Sequence, residues 1–251
     1  MLGKIFKREK SDAAAPEGKR IYAIGDIHGC ADMLATLLDS ISEDVAENTN
    51  DFADATLVFL GDYIDRGPDS RAVIDRLLEL KKSDAEAIFL KGNHEASMLD
   101  FLDAPEDLYQ WLEWGGEETL ESYGIDPIGK TPTALAAELR EQMPVDHLRF
   151  FKSLSLSHIE GAYLFVHAGL RPGVPLKEQD PMDLMWIRKR FHNTPPAERP
   201  DHVVVHGHHP EDKPIDAGWR IAVDTGACYG GMLTAVVLEG TTRRFITIKA
   251  D

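Results

Sequence analysis

Five short apolar runs in this chain each end in a small residue beside an acidic, amide or imidazole side chain. The five junctions are GDIHG (25–29), GDYID (61–65), GNHE (92–95), VHAG (166–169) and HGH (206–208). Short apolar runs separated by helical periodicity are typical of α/β proteins, so the chain is predicted to have an α/β fold. Ligands of open α/β sheets bind outside the carboxyl ends of the strands. We therefore expect the five polar junctions to converge on one site.

The predicted secondary structure follows the same apolar runs. Helical periodicity over 31–41 and 70–80 predicts helices between the first three strands. The predicted strands are IYAIG, TLVFLG, AIFLKG, YLFVHAG, HVVVHGH, WRIAVDTG, MLTAVVLEG and FITIK.

Composition excludes several classes of protein. The 251 residues include 27 Lys and Arg against 43 Asp and Glu, a net charge of −16, which disfavours nucleic acid as a partner. No apolar run approaches the roughly 18 residues needed to cross a bilayer, so no membrane insertion is predicted. Two cysteines, Cys30 and Cys228, do not make a disulfide framework, and a reducing cytoplasm is the expected location.

The domain organisation is predicted from composition along the chain. Residues 1–18 mix basic residues, alanines and a proline and are expected to form a flexible tail. Residues 19–251 are expected to form one domain with a helical insertion at about 98–158. Trp111 and Trp114 are expected in the core of that inserted lobe, and its many acids on a solvated face.

The side chains at the junctions are typical of a metal centre. They are carboxylates, an amide and imidazoles without a thiolate, a set that suits Mn²⁺, with Fe or Zn possible. One ion cannot use so many groups, whereas two ions about 3.5–4 Å apart can share a carboxylate between them. The junctions therefore predict a site for two divalent ions.

The order of the motifs GDIHG, GDYIDRG, KGNHE, HAG and GH resembles the phosphoprotein phosphatase family of Ser/Thr phosphatases. This family belongs to the calcineurin-like metallophosphoesterases, and the similarity is to its compact bacterial and lambda-phage members. It extends from about residue 21 to 235. The fold it implies is a sandwich of two mixed β-sheets flanked by helices, with a helical inserted lobe.

The resemblance also implies a role for each matching residue. His94 is implied as the general acid, with Asp65 holding its imidazole, and Arg66 and Arg188 are implied to bind phosphate. Asp62 is implied to bridge the two ions. The complete set of implied metal ligands is Asp26 and His28 at one ion, Asp62 at both, and Asn93, His167 and His208 at the second.

The activity implied is that of a dimetal phosphomonoesterase, most directly a Ser/Thr protein phosphatase, in which a metal-bridging hydroxide attacks phosphorus in line. Its substrate would be a phosphorylated protein or a small phosphoester, and the oligomeric state is left open. The alternative is a symmetrical dinucleoside tetraphosphate hydrolase, although those enzymes commonly carry glutamine at the position of His28. An inactive metal-binding scaffold is the third hypothesis.

Other polar residues near the junctions are given supporting roles. His206 and His208 face the same side of a strand, and the family pattern selects His208. Asp224 is expected in a turn or hydrogen-bonded to a ligand, and Glu95 is expected to be structural. The remaining histidines, expected to be ordinary core or surface residues, are His147, His158, His192, His202 and His209.

Overall fold

The computed structural model describes residues 13–47 and 54–250. Its strands are β1 (Lys19–Ile24), β2 (Asp54–Phe59), β3 (Glu86–Phe89), β4 (Ser157–Glu160), β5 (Tyr163–Val166), β6 (Val203–His206), β7 (Ile215–Asp216), β8 (Arg220–Ala222), β9 (Asp224–Thr225), β10 (Met232–Glu239) and β11 (Thr242–Lys249). Its α-helices are α1 (Ala31–Glu47), α2 (Ser70–Lys82), α3 (Asn93–Asp103), α4 (Glu117–Ser122), α5 (Pro132–Gln142), α6 (Val145–Ser153), α7 (Pro181–Trp186) and α8 (Lys189–His192).

The strands form two mixed sheets. The first has the order β11-β10-β1-β2-β3, with β9 paired to β10, and its β1, β2 and β3 are parallel. The second has the order β4-β5-β6-β8-β7, and its β5, β6 and β8 are parallel. The predicted fold class, two mixed sheets flanked by helices, is confirmed.

The core is divided between the two faces of the first sheet. Ile21 and Ala23 of β1 pack with Phe165 and Val205 of the second sheet. Their neighbours on β1 point to the opposite face, because side chains alternate along a strand. Tyr22, on that opposite face, packs in a separate core cluster that contains the apolar faces of α1 and α2. The sheets therefore form a sandwich, and their parallel strands end at a common edge.

The predicted strands and helices are present, with two differences. WRIAVDTG, predicted as one strand, divides at Val223 into β8 and β9, which pair in different sheets. The short strands β4 and β7 were not predicted, because SHIE and ID are polar and partly exposed. They are also too short for the alternating hydrophobic pattern of a strand to be recognised. Both predicted helices are present as α1 and α2.

The division of the chain into a tail at 1–18 and a domain at 19–251 with an insertion at about 98–158 remains a prediction. Residues 1–12 of the tail lie outside the described residues, while Ala15 is buried and its N–H donates to the Gly240 carbonyl at 2.8 Å. The chain between β3 and β4 contains α3 to α6. Across 13–47 and 54–250, no helix combines the length and apolar character needed to cross a bilayer.

Candidate metal centre

The predicted metal ligands lie at the ends of four strands and at the start of α3. Each is at least nine-tenths buried, although each is polar. Such burial is unusual for carboxylates and imidazoles, which are normally exposed unless they are paired or bind a metal. The structure brings together all six: Asp26 and His28 after β1, Asp62 after β2, Asn93 in α3, His167 after β5 and His208 after β6.

Asp62 lies between two groups of possible ligands. His28, Asp62 and His94 form one group and Asp62, His167 and His208 the other, with the ligand atoms of each group within 4.8 Å of one another. The Asp62 Oδ2 atom is 3.5 Å from His28 Nε2 and 3.4 Å from His167 Nε2. This position is the one that a carboxylate shared by two ions would take.

Asp26 and Asn93 join the same centre from either side. Both Asp26 carboxylate oxygens accept the His208 backbone N–H, at 3.1 and 3.0 Å, so Asp26 faces the His208 loop. The Asn93 side-chain oxygen is 3.0 Å from His167 Nε2. Each predicted ligand therefore presents an oxygen or nitrogen to one small volume, which fits divalent ions.

Backbone carbonyls orient two of the histidines. His28 Nδ1 lies 2.8 Å from the Ile64 carbonyl, and His167 Nδ1 lies 3.0 Å from the Leu60 carbonyl. A carbonyl only accepts, so Nδ1 carries a proton, and in the neutral imidazole that a metal binds the lone pair is then on Nε2. This arrangement, in which the far nitrogen of a ligating histidine donates to a carbonyl, is usual around metals.

The backbone of the centre is strained at its functional residues. Within the described part of the chain, positive φ occurs at five non-glycine residues, and all five belong to the predicted site: His28, Asp62, Asp65, Arg66 and His208. Their φ values lie between 46° and 75°. Such conformations cost about 1–3 kcal/mol each and cluster at functional sites.

Glu95 connects the loop after β2 to the start of α3. Its buried carboxylate accepts the backbone N–H groups of Asp62 (2.9 Å), Tyr63 (2.7 Å) and Gly92 (2.9 Å). Burial and the neighbouring Asp62 charge raise the pKa of Glu95 to about 7. The expectation that Glu95 is structural agrees with these contacts.

His94 and Asp65 form a close buried pair. His94 Nδ1 is 2.6 Å from Asp65 Oδ2. Burial opposes the charged imidazole, but the charges of Asp62 and Asp65 outweigh it and the pKa of His94 is raised. Asp65 in turn accepts hydrogen bonds from Trp111 Nε1 (2.8 Å) and Thr119 Oγ1 (2.6 Å). These two partners were missed, because nothing in the sequence near them resembles a site motif.

The two predicted phosphate-binding arginines reach the metal-centre histidines. Arg66 Nη1 is 2.7 Å from His28 Nε2, and Arg188 Nε donates to His208 Nε2 at 3.0 Å. The guanidinium groups therefore approach the centre from two directions. They would meet oxygens of a phosphate placed beside the ions.

An open cleft adjoins Arg66. It has a volume of about 750 Å³, and Trp114 and Tyr229 line it together with the acidic residues Glu113, Glu117 and Glu118. Trp114 is 42% exposed, so its expected place in the core is wrong; Trp111 is buried as expected. Trp114 lies in the helical segment Leu112–Gly116, which is kinked at Gly115, where φ is 106°.

His206 and Asp224, the two further polar residues considered from the sequence, lie beside the centre. His206 Nε2 is 3.2 Å from Arg220 Nη1, and His206 belongs to neither ligand group. Asp224 is buried and accepts the Gly226 N–H at 3.0 Å. Burial raises the pKa of Asp224 to about 6, and burial, followed by the charge of Asp224, raises the pKa of Asp26.

Residues 19–231 match the calcineurin-like phosphoesterase family, so the chain belongs to this family and is a hydrolase of the metallophosphoesterase type. The family implies divalent metal ions, for which the two histidine–aspartate groups are suitable. Membership of this family specifies neither which metals bind nor which phosphoester is the substrate.

Individual relatives give further comparisons. The bis(5'-nucleosyl)-tetraphosphatase PrpE [asymmetrical] of Halalkalibacterium halodurans is 28% identical over 232 residues, which cover 85% of this chain and 87% of the relative. The crystal structure of a putative diadenosine tetraphosphatase matches with a TM-score of 0.61 at 24% identity, covering 91% of this chain and 93% of that one. A protein serine/threonine phosphatase from Saccharomyces cerevisiae matches with the same TM-score, 0.61, at 16% identity, covering 97% and 85%. The structural similarities show the shared fold alone.

A methyl group at Gly207 is expected to disturb the centre. A Cβ there would lie 2.0 Å from Asp26 Oδ1, so Gly207→Ala displaces this carboxylate. We expect Mn²⁺ affinity, measured by equilibrium dialysis, to fall about 10- to 100-fold. Gly129→Ala is the control, because a Cβ at Gly129 meets no atom within 4 Å, although Gly129, unlike Gly207, has a positive φ of 71°. Equal affinity in both variants would contradict this role of Gly207.

Replacement of Asp65 by asparagine is expected to lower the pKa of His94. A neighbouring carboxylate stabilises the imidazolium, so its removal makes His94 lose its proton at lower pH. Histidine NMR titration should show this shift in Asp65→Asn. In the control Asp75→Asn, where the lost carboxylate contacts His147 Nε2 at 2.9 Å, the His94 titration should not move. An unchanged His94 pKa in Asp65→Asn would refute the pairing.

Proposed function

We propose that this protein is a dimetal-dependent hydrolase of dinucleoside polyphosphates. The observation that carries the proposal is the similarity to bis(5'-nucleosyl)-tetraphosphatases along 85% of the chain. It favours the nucleotide substrate, which the sequence motifs alone gave only as the alternative. Those relatives are named as asymmetrical enzymes, so we also propose unequal cleavage in place of the symmetrical cleavage considered first.

The proposed ligands hold two ions. The oxygen and nitrogen donors without thiolate favour Mn²⁺, with Fe and Zn as the alternatives. When bound, two divalent ions lower the pKa of water and stabilise the charge that develops on phosphate oxygens. The proposed ligand sets are Asp26, His28 and Asp62 for one ion and Asp62, Asn93, His167 and His208 for the other.

His94 is the proposed proton donor to the departing phosphate oxygen. Its Nδ1 is held by Asp65 at 2.6 Å, so Nε2 is the nitrogen directed to the centre, 4.0 Å from Asp62 Oδ2. As the bond from phosphorus to the leaving oxygen breaks, that oxygen takes the Nε2 proton. Asp65 keeps the imidazole charged and oriented during this step.

Arg66 and Arg188 are the proposed phosphate anchors. The chain as a whole carries a net charge of −16 and repels polyanions, so a polyphosphate must be attracted by local positive charge. Planar guanidinium groups can each bind two phosphate oxygens. Their contacts with His28 and His208 support this assignment, because these two histidines are proposed ligands of different ions.

The cleft beside Arg66 is the proposed site for one nucleoside. Trp114 and Tyr229 are 42% and 63% exposed there, although large aromatic side chains are usually more buried. An exposed ring offers a stacking surface for a base. The cleft carboxylates of Glu113, Glu117 and Glu118 can accept hydrogen bonds from ribose hydroxyls or base amino groups.

A Ser/Thr protein phosphatase is the second candidate. His28 keeps it open, because glutamine at this position is common in the symmetrical dinucleoside tetraphosphate hydrolases, and this chain differs from them there. The fold does not separate the two activities, because its TM-score is 0.61 with structures named for each. A direct comparison of substrates is therefore required.

The deciding experiment compares substrates on one preparation. Metal-stripped protein with Mn²⁺ restored is given diadenosine tetraphosphate and a phosphoserine peptide, and the products are separated by chromatography. We expect the dinucleotide to be preferred and to yield ATP and AMP, and we expect turnover to fall at least about 100-fold in His94→Asn. Two ADP molecules would indicate symmetrical cleavage. Preference for the peptide would overturn the proposal in favour of the phosphatase.

Loss of the Trp114 ring is expected to weaken dinucleotide binding selectively. Stacking of a base on an aromatic side chain is worth about 1–3 kcal/mol, so KM for diadenosine tetraphosphate should rise about 5- to 150-fold in Trp114→Ala. The KM for p-nitrophenyl phosphate, which has no base, should stay unchanged. Tyr109→Ala is the control, because Tyr109 is 44% exposed but does not line the cleft. An equal effect on both substrates would contradict the nucleoside site.

A further inference from the structure

A third group of possible metal ligands lies outside the dimetal centre. His192, His209 and Glu211 are each half-buried, and their ligand atoms lie within 4.8 Å of one another. His192 is the last residue of α8, while His209 and Glu211 follow β6. From the sequence, both histidines were expected to be ordinary core or surface residues. The fold brings them together from segments that are 17 residues apart.

One nitrogen of this group has no hydrogen-bond partner. His192 Nε2 is buried, and among the described residues no donor or acceptor contacts it. Buried polar atoms are nearly always paired, and an unpaired one requires an explanation such as an ion. The His192 ring centroid is 5.1 Å from that of His209, so the ring that carries the unpaired nitrogen lies within the cluster.

Charge around the cluster favours a cation bound by neutral imidazoles. Burial, then the charge of Arg220, lowers the pKa of His192 to about 4, so its imidazole is uncharged at neutral pH. The Arg220 guanidinium is already in contact with His206 Nε2 at 3.2 Å. Its positive charge opposes a cation, and the Glu211 carboxylate offsets that charge.

We propose that His192, His209 and Glu211 bind a third divalent cation, best matched by Zn²⁺. Two imidazoles and one carboxylate are a well-known ligand set for tetrahedral zinc, in which water takes the fourth position. The ligands suit zinc better than Mg²⁺ or Ca²⁺, which prefer oxygen. This site does not depend on the substrate proposed above.

The site would link the two segments that carry Arg188 and His208. The His192 N–H donates to the Arg188 carbonyl at 3.1 Å, and His209 directly follows His208. Arg188 and His208 are themselves joined by the 3.0 Å hydrogen bond between their side chains. A cation held by His192 and His209 would brace these segments against each other. The proposed function of the cation is to hold these two segments together beside the candidate metal centre.

The test counts bound zinc. Metal-stripped full-length protein is dialysed against Zn²⁺, and zinc per chain is measured by mass spectrometry for wild type, His192→Ala and Glu211→Ala. We expect each variant to bind one zinc fewer than wild type. The matched controls His202→Ala and Glu198→Ala, which change residues outside the cluster, should equal wild type.

The outcomes separate the third site from the dimetal centre. A wild-type zinc count in both cluster variants would overturn the proposal. A loss of two or more ions would also overturn it, because the cluster would then not be a separate site. If His192→Ala fails to fold by circular dichroism, Glu211→Ala decides, since Glu211 lies in a loop and is partly exposed.

Discussion

The carboxylate of Glu95 is the interaction on which the centre depends. It accepts four buried backbone N–H groups, three from the loop after β2 and one from the start of α3. Each of these donors would cost about 1–3 kcal/mol if it were buried without a partner. Because one side chain satisfies all four, the end of β2 and the start of α3 are held together. Asp62 and Asn93 are brought to the centre by these two elements.

The sandwich supports the strain that this convergence requires. Five non-glycine residues of the predicted site have positive φ, at a cost of about 1–3 kcal/mol each. Such conformations persist only where the surrounding structure determines them. The loops that carry them follow strands whose side chains are almost fully buried, such as β1 and β6. The apolar core between the sheets thus stabilises a polar edge that would be unfavourable alone.

Much of the fold and of the candidate site was predictable, since each junction follows its strand directly in the sequence. A short segment then carries both the apolar run and the ligand, as in GDIHG after β1. The partners of Asp65 were not predictable, because Trp111 and Thr119 are 46 and 54 residues away, in the segment between β3 and β4. The division of WRIAVDTG between two sheets also depends on long-range pairing. A hydrophobic pattern within a short segment carries no information about contacts between residues that are far apart in the sequence.

Substrate choice has to come from the surroundings of the centre. The proposed pair of ions would stabilise charge on phosphate oxygens, which esters and anhydrides develop alike. The residues around the centre are of a different kind: beside Arg66, the segment between β3 and β4 contributes exposed Trp114 and several carboxylates. Carboxylates repel additional phosphates but accept hydrogen bonds from sugars and bases. A ligand that suits both regions has a charged end for the proposed ions and a neutral aromatic end for the cleft. A nucleotide meets this requirement, since its phosphates are charged and its base is neutral and aromatic.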